Sequence, residues 1–207
     1  PAGGGFTPPP ACAPRPGGGG AAPGRAFVRG RVAARPGGGG PARPPGFTGG
    51  VVPPPPAAAP MLAARGRRVW DFGAAVDAAP TVKIAVNYLI LHALQALSES
   101  ITLLQHAELD AGRFVEMIND SIFPGPVYGG YGNAIATSTF TPPGFTTTLG
   151  LKDLRLALSA ADDLGTHLPT GPVLHDVFAT AVEQIGAELD WASVAEVTRQ
   201  RSTGRPR

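Results

Sequence analysis

From Thr81 to His106 the chain runs without glycine or proline, and its large apolar residues fall on nearly every helical face: Ile84, Val86, Leu89, Ile90, Leu91, Leu94, Leu97, Ile101 and Leu104. A stretch of roughly 25 residues that is apolar almost all round reads as a buried helix. In a domain this small, such burial calls for a partner subunit or a second domain. Pro80 suits a first helical turn, and Asp77 just upstream is a cap candidate. Asp110 caps a shorter helix from Ala111 to about Asn119. Residues Phe123 to Phe145, with Pro124, Pro126, Tyr128, Tyr131, Phe140, Pro142 and Pro143, predict a crossing loop with short helical pieces. Helical spacing returns from Leu151 to about Leu164, where Gly165 ends it. A further helix runs from Pro172 to about Glu188, and a last one starts at Asp190-Trp191. No alternating Val/Ile-rich segment predicts a sheet. The pattern predicts an all-α domain of five or six helices over residues 81–207.

Composition splits the chain. Residues 1–70 hold 17 Gly, 16 Pro and nine Arg, with no Lys, Asp or Glu. The rest holds eight basic and fifteen acidic residues, so a formal charge of +9 is followed by −7 and the overall +2 describes neither part. Runs such as Pro8 to Pro10, Gly17 to Gly20, Gly37 to Gly40 and Pro53 to Pro56 bury too little to offset ordering entropy. Residues 1–60 are therefore expected to be a disordered low-complexity segment, and 61–80 an interdomain remnant. Phosphate binding by Arg25, Arg29, Arg31 and Arg35 would need aromatic interleaving that the segment lacks, so nucleic acid is not the expected partner. Proline-recognition domains could read the Pro runs.

The single cysteine, Cys12, excludes an intrachain disulfide framework and cysteine zinc clusters. The N-terminus shows no basic-then-apolar signal pattern. The apolar run from Ile84 to Leu97 is interrupted by Asn87, His92 and Gln95 and reads as too short and polar to span a bilayer. The expectation is a cytoplasmic protein away from membranes.

The chain has only two lysines, Lys83 and Lys152, both within apolar helical stretches. Asn87 lies at i+4 from Lys83, so both project from one helix face. An ammonium and a carboxamide on one face can protonate and orient a carbonyl oxygen. A lysine snorkelling from a helix start is the plainer alternative. His92, His106, His167 and His175 share no metal-type spacing, and no metal is expected. Tyr128 and Tyr131 could border a site, with packing the simpler role.

The segment Gly73-Ala-Ala-Val-Asp-Ala-Ala-Pro-Thr-Val-Lys83-Ile-Ala-Val-Asn87 resembles the third signature of the β-hydroxyacid dehydrogenase family, which is glycine-rich and ends in Lys-x-x-x-Asn. Lys152-Asp153-Leu154-Arg155-Leu156-Ala157 resembles the fourth, Lys-Asp-Leu-Gly-x-Ala. The helical spacing between them, Phe145 seven residues before Lys152, and the closing Asp190-Trp191 fit as well. The resemblance covers roughly residues 61–200. It implies a helical C-terminal domain of the 6-phosphogluconate dehydrogenase-like type and an NAD- or NADP-dependent oxidoreductase. Lys83 would be the general acid or base, Asn87 and Phe145 would meet substrate, and Lys152 and Asp153 would lie by the cofactor. It implies a small hydroxyacid or aldehyde substrate and a homodimer through the long helix. Members of this family also carry a Rossmann half, whose G-x-G-x-x-G fingerprint does not occur here. The second signature is missing too, the third keeps only Gly73, and Arg155 and Ser159 replace the usual Gly and acid of the fourth. The isolated chain is thus expected to be inactive.

Two alternatives stay open: an imine reductase-like fragment, which would usually lack the lysine at position 83, and a non-catalytic helical dimerisation module. The acid-free composition of the first seventy residues matches a GC-rich gene read out of frame. Nucleotide reads across codons 1–65 are expected to show a frame break near Met61; one clean frame shared with relatives would contradict it.

Overall fold

A computed structural model describes residues 29–32, 46–49, 69–72, 75 and 77–203. Three short strands, β1 (Arg29–Val32), β2 (Gly46–Gly49) and β3 (Val69–Asp71), form one sheet in the order β1-β2-β3. The β1–β2 pair is antiparallel and β2–β3 is parallel. These strands all precede residues 81–207, the span read as all-α, and among the described residues of that span none is a strand. Each strand has only three or four residues, too few to show an alternating pattern. The disorder expected over 1–60 otherwise lies outside the described residues, as does most of the 61–80 remnant.

Six α-helices follow: α1 (Ala78–His106), α2 (Ala111–Asp120), α3 (Gly132–Ala136), α4 (Thr147–Asp163), α5 (Gly171–Thr180) and α6 (Val194–Thr203). Asp77 holds the cap position of α1, but its side chain makes no cap hydrogen bond. Asp110 does cap α2, accepting from the Arg113 amide at 3.0 Å. The loop after α2 contains one π-helical turn, Val127–Tyr131, leading into α3. α4 starts four residues earlier than its apolar spacing suggests, because the Thr146 hydroxyl caps the Leu149 amide. Gly165, at φ 64, ends it in the left-handed region. α5 continues as a π-helix over Ala181–Gly186, and a 3-10 turn, Trp191–Ser193, opens α6.

α1 is the central element, with α4 and α6 packed along it. Leu91, Leu94, Leu97 and Ile101 are buried against Val115, Ile135, Leu154, Phe178 and Val194. By length and apolar content α1 would also suffice to cross a membrane, more than the run from Ile84 to Leu97 suggested; here it is the core helix. It is not buried all round. Leu89 and Leu103, two heptads apart on one stripe, are each 70% exposed. Arg199 of α6 ties three elements together. Its guanidinium donates to Gln105 of α1 at 3.1 Å, to the Ile135 carbonyl of α3 at 2.7 Å and to Ser138 at 3.1 Å, and it pairs with Glu196.

Gly150 marks the tightest approach of α4 to the core. A Cβ there would lie 2.9 Å from Phe178 Cε1 and 3.3 Å from Trp191 Cε3, both in buried rings. Alanine favours a helix by about 1 kcal/mol over glycine, but overpacking between two rings costs about 1–3 kcal/mol. Gly150→Ala is expected to lower the urea midpoint; an unchanged or raised midpoint would show that the rings yield freely.

Candidate active site

The α1 periodicity puts Lys83 and Asn87 one turn apart on a single face, and α4 brings Asp153 against both. Lys83 Nζ lies 3.2 Å from Asp153 Oδ2. Asn87 Nδ2 donates to the same oxygen at 2.5 Å. Asn87 and Asp153 are buried, whereas the Lys83 side chain keeps a quarter of its surface exposed. A buried carboxylate needs both a countercharge and a hydrogen bond, and this one has both on one oxygen. The ammonium has three hydrogens and the amide two. Each therefore retains a donor after serving Asp153, and the exposed flank of Lys83 is where a carbonyl oxygen could meet it.

The structure gives the other expected site residues different surroundings. Lys152 is exposed, next to Asp153 in sequence but about 100° round the helix. Asp153, expected by the cofactor, is turned inward as the partner of Lys83 and Asn87. Phe145 sits just before α4, half-buried, with its ring 4.6 Å from that of Trp191. Tyr131 is buried edge-on to Trp191 at 5.6 Å, and Tyr128 stacks on Phe123 at 4.5 Å, so both tyrosines pack. No group of three or more His, Cys, Asp or Glu among the described residues could hold a metal.

The loop carrying Phe145 is held by a residue whose role the sequence does not disclose. Asp190 is only 6% exposed and meets backbone amides. Its Oδ2 accepts from Gly144 N at 2.8 Å and Phe145 N at 3.4 Å, and its Oδ1 accepts from Ala192 N at 3.0 Å. Trp191 N donates back to the Phe145 carbonyl at 2.8 Å. Two consecutive residues thus grip Phe145 by its amide, its carbonyl and its ring. A lone aspartate before a tryptophan carries no spacing signal that would reveal this.

A family model described as the NAD-binding domain of NADP-dependent 3-hydroxyisobutyrate dehydrogenase matches residues 78–198, more than half of the chain. The chain belongs to this family. Its cofactor is NAD or NADP, and the relatives it matches include oxidoreductases. An uncharacterised oxidoreductase of Bacillus subtilis is 35% identical over 147 residues, 71% of this chain and 51% of that protein. Glyoxylate/succinic semialdehyde reductase 1 of Arabidopsis thaliana is 24% identical, over 68% of this chain and 48% of that protein. A 3-hydroxyisobutyrate dehydrogenase of Salmonella typhimurium superposes with a TM-score of 0.67 at 19% identity, covering 73% of this chain and 53% of that one. That likeness is one of fold alone. The chain spans about half the length of the curated relatives it matches.

Within this 3-hydroxyisobutyrate dehydrogenase-type domain, removing the Asp190 carboxylate would orphan the buried Ala192 amide, at about 1–3 kcal/mol, and release the part-buried amides of Gly144 and Phe145. Asp190→Ala is expected to lose at least about 2 kcal/mol in chemical denaturation and to speed amide exchange at Gly144 and Ala192. Unchanged exchange there would contradict the grip.

Proposed function

We propose that this chain is the acid–base half of an NAD(P)-dependent oxidoreductase acting on a small β-hydroxyacid or semialdehyde. The observation that carries this reading is the convergence of Lys83 and Asn87 on one Asp153 oxygen. The chemistry of the donor set fits a nicotinamide site: one cation and one amide, each with a hydrogen to spare, beside a partly exposed flank. Nicotinamide, when bound, supplies or takes the hydride. In carbonyl reduction Lys83 Nζ donates a proton to the substrate oxygen as negative charge gathers there. Asn87 orients that oxygen through its free Nδ2 hydrogen. Asp153 holds the ammonium in place and stays out of the proton transfer. In alcohol oxidation the unprotonated amine of Lys83 takes the hydroxyl proton. Phe145 meets substrate through its half-buried ring, and Lys152 meets the cofactor from the exposed face of α4.

The domain division follows the composition: a tail over 1–60, a linking stretch over 61–80 and the helical domain over 81–207. The dinucleotide fingerprint does not occur in this sequence, which supports a chain that needs a Rossmann half to turn over. The 70% exposure of Leu89 and Leu103 supports a homodimer through α1. A cytoplasmic setting without membrane attachment is consistent with this role.

Cofactor oxidation with glyoxylate or succinic semialdehyde tests the reading, on the full chain alone and with a dinucleotide-binding half supplied. Turnover is expected only in the second case, and Lys83→Met is expected to lower kcat by about 10²–10⁴ without loss of helix content. Full activity in the Lys83→Met protein would favour a non-catalytic dimerisation module, and turnover by the chain alone would contradict the need for a second half.

A further inference from the structure

Five residues beyond Lys83 on α1, a second polar contact joins this helix to the α4–α5 unit. Thr170, the residue before α5, is its hub. Thr170 Oγ1 lies 2.6 Å from His92 Nε2 and 3.3 Å from the Tyr88 hydroxyl. His92 Nδ1 lies 2.9 Å from the Tyr88 carbonyl, and the two rings pack edge-on at 4.4 Å. The directions of these bonds follow from one constraint. A carbonyl only accepts, so Nδ1 carries the proton. In the neutral ring Nε2 then accepts from the Thr170 hydroxyl, and the Thr170 oxygen accepts from Tyr88. All donors are matched by acceptors in one arrangement.

The hub lies close against α4. Gly171, next to Thr170, sits so close to Leu158 that a Cβ would fall 2.4 Å from Leu158 Cδ2 and 3.7 Å from the Tyr88 hydroxyl. Leu158 is five residues beyond Asp153, as Tyr88 is five beyond Lys83. α1 and α4 are therefore fastened at two points separated by the same helical rise, about 7.5 Å. One point is the Lys83–Asp153 pair, and the other is the Tyr88–His92–Thr170 cluster. Core packing through Leu151 and Leu154 sets where α4 crosses α1, and the cluster adds a second polar anchor beside the ion pair. The cluster itself is largely exposed, where hydrogen bonds add little to overall stability, so its contribution lies in geometry.

We propose that Tyr88, His92 and Thr170 are positioning residues that fix α4 on α1 and thereby hold Asp153 on Lys83. This rests on the reading of Lys83 as the proton donor. None of the three touches the reacting atoms; they act through the placement of Asp153, on which the orientation of the ammonium depends.

The two-lysine sequence supplies the test. In the full 207-residue chain, a limiting amine acylating reagent labels Lys83 and Lys152, and mass spectrometry reads the ratio. Lys152 is exposed and serves as the internal reference. Lys83, ion-paired and three-quarters buried, is expected to react more slowly. Asp153→Asn is expected to raise the Lys83/Lys152 ratio roughly threefold, the scale of a partly exposed ion pair. Thr170→Val is expected to raise it in the same direction with helix content and Lys152 labelling unchanged, and Thr170→Ser, which keeps the hydroxyl, to leave it at the wild-type value. His92→Leu reports the same effect if Thr170→Val loses helix content. A wild-type ratio in both Thr170→Val and His92→Leu, with Asp153→Asn raised, would overturn the positioning role and leave the catalytic reading intact. A ratio unmoved by Asp153→Asn would overturn the pair itself and the proposal with it.

Discussion

One carboxylate oxygen organises this domain. Asp153 Oδ2 receives the Lys83 ammonium and the Asn87 amide in a setting where water has little access. Burying a charge is costly unless it is both paired and hydrogen-bonded, and removing either partner leaves the rest of the group exposed to that cost. The consequence is mutual restraint. The two α1 residues and Asp153 meet where α4 crosses α1. The same restraint leaves Lys83 oriented, with hydrogens to offer at its exposed flank.

The surrounding fold serves that crossing. α1 carries the lysine near one end and buries Leu91, Leu94, Leu97 and Ile101 along its length. α4 approaches closely where Gly150 admits the Phe178 and Trp191 rings. Asp190 fixes the backbone entering α4, and Arg199 draws α6 and α3 onto α1. The parts that bear on chemistry are therefore set by buried polar groups, while the apolar core supplies the bulk of the stability. Membership of the 3-hydroxyisobutyrate dehydrogenase family gives this arrangement its cofactor class.

Much of this could be read from the residues. The helices from Ala78 onward followed from apolar spacing and from Asp110 and Gly165 as punctuation, and the Lys83–Asn87 face followed from the i+4 offset. Two kinds of feature could not be read. Short strands such as Val69–Asp71 hold too few residues to show alternation. Long-range polar contacts have no local signature: nothing near Asp190 announces that it will bind amides some 45 residues away, and nothing near Thr170 announces Tyr88 and His92. Asp153 was legible as a motif residue, yet its partner across roughly 70 positions was not, because pairing depends on the crossing of two helices and not on spacing within either.

The central claim is that Lys83 and Asp153 are energetically coupled and not merely adjacent. A double-mutant cycle on the full chain measures this, comparing the unfolding free energies of wild type, Lys83→Met, Asp153→Asn and the double variant. Coupling of about 1 kcal/mol or more is predicted, within the range for contacting buried groups. Additive effects, with coupling near zero, would contradict the account.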